Sequence, residues 1–259
     1  MVLLHGGPGL WDYLEPLARL LDDSTVVHRY DQRGCGGSGD GGPITMARWV
    51  ADLDSLRADW GHERWVVVGH SFGATVALAY ADAHPGRTAG VGYLSGVGIG
   101  DWRTPLRAEL IRRRSPAHAA RLADLHRLAQ RTPDEERELR VLSWSTDYAD
   151  PEVGAKHAAD MAASPHTIRW DINAALNHGD DEIPDEEVVR IARSLRVHVS
   201  FVHGRVDPRP WQASAALTDA SGHGSIDVVD GAGHLPWVER PGQVRRLLTV
   251  LLDRATTSG

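Results

Sequence analysis

Short apolar runs rich in β-branched residues recur along the chain, and most end at a glycine-bearing turn. Met1 to Leu4 runs into His5-Gly6-Gly7-Pro8-Gly9, Thr25 to Tyr30 into Asp31-Gln32-Arg33-Gly34, and Trp65 to Val68 into Gly69-His70-Ser71-Phe72-Gly73. Thr88 to Leu94, Val197 to Val202 and Ser225 to Val229 follow in the same style. Unbroken apolar composition marks strands buried on both faces of a parallel sheet. Between the runs the spacing turns helical: Leu14, Leu17, Ala18 and Leu21 within Trp11 to Leu21, Trp49, Leu53, Leu56 and Trp60 within Thr45 to Trp60, and Ala74, Ala77, Leu78 and Ala81 within Phe72 to His84. Trp211 to Ala220 and Gln243 to Arg254 read as further helices. Strand alternating with helix predicts an α/β fold, a mostly parallel sheet flanked by helices.

One block breaks the alternation. Asp101 to Leu195 holds helix patterns over Arg107 to Arg114, Ala117 to Arg131 and Pro133 to Trp144, many prolines and no convincing strand. The predicted organisation is a core of residues 1–98 and 196–259 interrupted by a helical cap, residues 99–195. A cap over the carboxyl ends of the strands closes a pocket, excludes water and selects substrates. Trp144 and Trp170 suit either its lining or its packing. Asp180-Asp181-Glu182 reads as a solvated loop, having no partner at a ligand-type spacing, and the Arg112-Arg113-Arg114 run as a solvated helix face with acidic residues interspersed around it.

The turn between Val68 and Phe72 leaves almost no room for a loop. A chain passing so abruptly from strand to helix holds its middle residue in a strained conformation, with glycine two positions either side to avoid collisions. Ser71 is thereby raised at the carboxyl end of the sheet with a helix N-terminus behind it, the geometry of a nucleophile elbow. The bare backbone of Gly6 and Gly7 suits a turn that holds an anion. Asp207 and His234 each follow a later strand, in the order serine, acid, histidine. The expected roles are Ser71 as nucleophile, His234 as base, Asp207 as the residue orienting it, and the Gly7 and Phe72 amides as oxyanion donors.

Composition narrows the alternatives. A net charge of −7 over 259 residues speaks against a nucleic-acid partner. The short, uncharged opening and the lack of long apolar runs predict no signal peptide and no membrane. A single cysteine, Cys35, excludes an internal disulfide and fits the cytoplasm. Gly34, Gly36 and Gly39 match a dinucleotide fingerprint letter by letter, but Asp40-Gly41-Gly42-Pro43 prolongs the loop where a helix should open. No cofactor and no metal are therefore expected.

HGGPG at 5–9, DQRGCGGS at 31–38, the elbow at 69–73, GRVDPRP at 204–210 and GAGH at 231–234 resemble the proline iminopeptidase family of α/β-hydrolases. The resemblance implies an α/β-hydrolase fold, Ser71, Asp207 and His234 as the triad, Gly7 and Phe72 as the oxyanion hole, and metal-free release of an N-terminal residue, typically proline, from short peptides. Three features depart from that family. The elbow reads GHSFG where the family has GGSWG. The family's lid glutamates, in W-x-x-W-E and E-N-H-Y-F contexts, have no match here, and Asp147, Asp150 and Glu152 stand only near the first. The chain also begins inside the HGGPG strand, implying a six-stranded sheet or a truncated start whose edge a second subunit would cover. The alternatives are an esterase, lactonase or carbon–carbon-bond hydrolase, and a non-catalytic ligand-binding member of the fold.

Overall fold

The computed structural model describes residues 1–178, 182–222 and 224–257. In chain order the core begins with strand β1 (Val2–Leu4), helix α1 (Glu15–Ala18), β2 (His28–Arg29), α2 (Met46–Asp59), β3 (Trp65–His70), α3 (Phe72–Ala83) and β4 (Thr88–Leu94). Helices α4 (Arg103–Arg113), α5 (Pro116–Arg127) and α6 (Pro133–Trp144), a 3-10 turn (Ser145–Asp147), then α7 (Pro151–Ala162), α8 (Trp170–His178) and α9 (Asp185–Ser194) separate β4 from the next strand. The chain closes with β5 (Val199–Gly204), α10 (Trp211–Ser221), β6 (Gly224–Val229), α11 (Pro236–Glu239) and α12 (Pro241–Thr257). The strands form one six-stranded sheet in the order β2-β1-β3-β4-β5-β6, every pairing parallel.

The pleat sorts side chains between two cores. Val2, Leu4, Val67, Val91 and Phe201 face the side covered by α2, α3 and α9, where Trp49, Leu78 and Ile191 meet them. Leu3, Val66, Val68 and Val202 face the other side, closed by Leu14, Leu17, Val244 and Leu248. Both faces are apolar, as the continuous hydrophobic runs require.

Two elements of the core are markedly shorter than the periodicity predicts, and in the insertion the helix expected over Ala117 to Arg131 ends at Arg127. The helix expected over Trp11 to Leu21 contracts to Glu15–Ala18, because Pro16 has no N–H to bond back into a preceding turn. Leu14, Leu17 and Leu21 are buried all the same. The strand expected over Thr25 to Tyr30 keeps only His28 and Arg29, which pair with Val2 and Leu3, while Val26 is 65% exposed. The β2 edge has only the three residues of β1 to pair with. In the inserted helices, Ser115 accepts from the His118 amide to start α5, and Thr132 with Glu135 forms a full capping box on α6.

Asp180 and Asp181 lie outside the described residues, while Glu182 pairs with Arg103 at 2.8 Å. The arginine run divides its duties. Arg112 is a solvated residue beside Glu109. Arg113 corrects the surface reading: its side chain is 13% exposed and donates inward to the carbonyls of Thr146, Tyr148 and Val206. Among the described residues no helix is long and apolar enough to cross a membrane.

Candidate active site

Ser71 sits between the end of β3 and the start of α3 with φ 55° and ψ −121°. That is left-handed territory, which a serine occupies only when its surroundings compel it. Its amide donates to Leu94 O at 2.9 Å, tying the turn to β4. A Cβ on Gly69 would lie 1.9 Å from Gly73 O, and one on Gly73 would lie 2.3 Å from Leu4 O. The flanking glycines are thus what allow α3 to pass so close beneath β3 and β1.

His234 follows β6 on the turn predicted for it, and Asp207 follows β5. His234 Nδ1 donates to Asp207 Oδ2 at 2.7 Å, and both residues are buried. With the proton on Nδ1, Nε2 is left to accept one, which a base requires. Asp207 is acceptor-rich. Its Oδ1 takes the Arg209 amide at 2.8 Å, and His203 Nε2 lies 3.1 Å from Oδ2. Burial alone would raise its pKa. His234, together with the hydrogen bond from His203, outweighs burial and holds the carboxyl well below the ordinary range.

Ser71, His234 and Gly7 line one cavity of about 150 Å³ at the carboxyl end of the sheet. Its walls are mainly Leu10, Trp144, Tyr148, Met161, Ile168 and Trp170, with Tyr13, Asp147, Asn173 and Arg209 as polar points. Both tryptophans singled out from the sequence therefore line it. Gly7 adopts φ 58°, the conformation that its glycine identity permits. The Phe72 side chain turns away to meet Trp49 edge-on, 6.0 Å between ring centroids, so only its backbone belongs to the elbow.

Several site residues take roles that the sequence did not assign to them. Tyr13 accepts the Gly6 amide at 2.9 Å and donates to His70 Nδ1 at 2.6 Å, and His70 Nε2 donates to His234 O at 2.9 Å. Burial, reinforced by the nearby His234, holds the His70 pKa well below its usual value, so the ring is neutral. It therefore braces the His234 backbone without competing for a proton. Arg209 Nη1 meets Asp147 Oδ1 at 2.8 Å and Asp207 Oδ1 at 3.5 Å. Asp147 was one of three carboxylates near the lid motif, and only the fold brings it here; Asp150 instead caps α7.

The other sequence features find structural duties. His5 Nε2 accepts the Gln32 amide at 3.1 Å, and Gln32 Nε2 donates to His5 O at 2.7 Å, fastening the HGGPG turn to the DQRG turn. Cys35 is fully buried and its thiol is pushed up to about 12 by burial, so it is no nucleophile at neutral pH. Among the described residues no group of three or more histidine, cysteine or acidic side chains could hold a metal.

Comparison with known proteins accords with this architecture. Residues 1–247 match the alpha/beta hydrolase family. A proline iminopeptidase of Xylella fastidiosa is 28% identical over 90% of this chain and 82% of its own length. The solved proline iminopeptidase of Mycobacterium smegmatis superposes with a TM-score of 0.70 at 19% identity, over all of this chain and 90% of that one. The 2-hydroxy-6-oxo-6-phenylhexa-2,4-dienoate hydrolase of Rhodococcus sp. strain RHA1 gives 0.71 at 24% identity, over 97% and 89%. The all-parallel sheet, the strained serine between β3 and α3 and a match over nearly the whole length lead to one conclusion: this chain is a hydrolase and belongs to the alpha/beta hydrolase family.

Proposed function

We propose that this hydrolase cleaves a short acyl substrate through an acyl-enzyme formed on Ser71. The observation that carries the reading is the meeting, in one cavity, of a serine held at φ 55° and a histidine whose other nitrogen is committed to a buried aspartate. His234 takes the Ser71 proton as Oγ attacks and returns it to the leaving group. Asp207 keeps the ring in the required tautomer and stabilises its cation. The Gly7 and Phe72 amides receive the oxyanion, each donor worth about 3 kcal/mol in comparable sites. The helices between β4 and β5 act as the cap that walls off the reacting bond, and a small substrate suits a cavity of about 150 Å³.

Two substrate classes fit the chemistry. Release of an N-terminal residue from short peptides is supported by the likeness to proline iminopeptidases. Hydrolysis of a neutral ester or of a carbon–carbon bond is favoured by a specific observation: the cavity's carboxylate, Asp147, is already paired with Arg209 instead of standing open to a substrate amine. Prolyl-naphthylamide, its N-acetylated form and a short-chain nitrophenyl ester, each with the wild type and Ser71→Ala, separate the two. Cleavage confined to the free amine establishes the peptidase; cleavage of the ester without the amide establishes the esterase-like reading. Turnover that persists in Ser71→Ala would remove Ser71 as the nucleophile.

A further inference from the structure

The 3-10 turn Ser145–Asp147 and the loop after β5 are far apart in sequence, yet they join in one line of charge that ends at the candidate base. Asp147 Oδ1 meets Arg209 Nη1 at 2.8 Å, the same nitrogen lies 3.5 Å from Asp207 Oδ1, and Asp207 Oδ2 receives His234 Nδ1 at 2.7 Å. An arginine beside the acid of a Ser-His-Asp group is electrostatically awkward. A full positive charge on Asp207 would cancel the field that makes His234 basic and that stabilises its cation. Here the guanidinium sits closer to Asp147 than to Asp207.

The turn that carries Asp147 is fixed to the histidine loop itself. His234 N donates to Asp147 O at 2.7 Å, and a Cβ on Gly233 would lie 2.2 Å from that same oxygen. Glu239 then clamps the two segments, its Oε2 accepting Gly233 N at 2.6 Å and its Oε1 accepting Ala149 N at 2.8 Å and Asp150 N at 3.0 Å. Arg113 adds bonds from α4 to the carbonyls of Thr146, Tyr148 and Val206. So Asp147 has a set position relative to both Arg209 and His234.

We propose that Asp147 is a positioning residue for the Ser71–His234–Asp207 group: by drawing Arg209 to itself at 2.8 Å and leaving it 3.5 Å from Asp207, it limits how far the shared guanidinium neutralises Asp207, and so sets the basicity of His234. This rests on the triad reading above. The other groups facing this line leave it intact. Tyr13 and Tyr148 are buried phenols whose pKa values burial raises, and His70 is held neutral. His203 bonds Asp207 from β5, and Arg114 faces Asp147 from the end of α4.

The test is the pH dependence of Ser71 labelling by an alkyl fluorophosphonate. In that step the Oγ–P bond forms, the P–F bond breaks, fluoride leaves and His234 takes the serine proton, so the acid limb reports His234 without needing the natural substrate. Asp147→Asn removes a negative charge and leaves Arg209 to Asp207. The acid limb should move down by roughly half a unit or more, with a plateau about tenfold lower. Arg209→Gln should move it up. The double variant should return it close to the wild-type position, and Arg209→Lys should keep it there. Limbs that coincide in all variants, however far the rates or melting temperatures fall, would show a purely structural pair and overturn the proposal. Failure of the wild type to label at Ser71 would overturn the triad reading first and this proposal with it.

Discussion

The sheet and the first three inserted helices, α4 to α6, are held together by different physics. The strands and the helices against them bury large side chains completely, including Trp49, Tyr80, Tyr93 and Phe201. Helix α4, by contrast, buries no residue, Ile111 on it is 77% exposed, and α5 and α6 share a small core of Leu122, Leu125 and Leu139. What fastens the 3-10 turn to the histidine loop is a few polar bonds from Arg113, Glu239 and the Asp147 carbonyl, whereas α8 and α9 enter the apolar core through Ile172, Leu176 and Ile191. A continuous apolar core makes position insensitive to any single contact, whereas a few directed bonds fix one turn accurately. On the proposed triad reading, the core strains Ser71 and the directed bonds place Asp147 against Arg209.

The severest break is chemical. Ser71→Ala should lower hydrolysis by about 10⁴-fold or more while leaving the circular dichroism spectrum unchanged. A variant retaining a tenth of the activity would place the nucleophile elsewhere. On the sheet side, Gly69→Ala introduces a Cβ that would sit 1.9 Å from the Gly73 carbonyl. The backbone must move to admit it, so a loss of about 3 kcal/mol or more is expected in urea unfolding. An unchanged midpoint would mean that the elbow is looser than its geometry indicates.

A pH experiment tests the same side. Burial lowers the pKa of His5 to about 4, against about 6.5 when unfolded. Because the folded value is the lower one, unfolding takes up a proton in that window. The stabilisation is fully present above pH 6.5 and is lost as pH falls toward 4, at a cost of about 3 kcal/mol. Urea midpoints across that range should fall in the wild type and fall less in His5→Asn. Equal slopes would mean that His5 does not titrate in the folded state as its burial requires.

On the insertion side the expected effects shrink. Arg113→Ala removes the bonds to Thr146, Tyr148 and Val206, and should cut kcat by about tenfold with a melting temperature lower by roughly 2–4 °C. Arg121→Ala deletes an exposed pair with Glu138 on the outer surface, and its melting temperature should stay within about 1–2 °C of the wild type. If Arg121→Ala were as damaging as Arg113→Ala, the insertion would be held by its surface charges generally, and the distinction between the two arginines would collapse.

Much of this was legible in particular residues. The run of valines before Gly69 and the alanines after Phe72 specify a strand and a helix by period alone, and the glycines two places from Ser71 foretell the close approach found there. Asp207 and His234 were legible because each follows a strand, so a parallel sheet had to deliver both to the same end as Ser71. The short α1 is encoded locally too, since Pro16 outweighs the leucine spacing and starts the helix late. Arg113 was not, because a basic run reads as solvent-facing until something nearby offers it carbonyls.

Local pattern by itself determined the alternation of strands and helices, the strained serine and the order of the candidate triad, since period, glycine placement and chain direction are properties of contiguous residues. Only the tertiary structure decided that Asp147 and Arg209 meet, that Tyr13 and His70 brace the His234 backbone, and that Glu239 binds the insertion to the histidine turn. Those contacts join residues tens to more than a hundred positions apart, and their strength depends on burial and on distances of a few tenths of an ångström. No pattern along the chain encodes such distances; they exist only once the two cores have closed and brought the loops to a common edge.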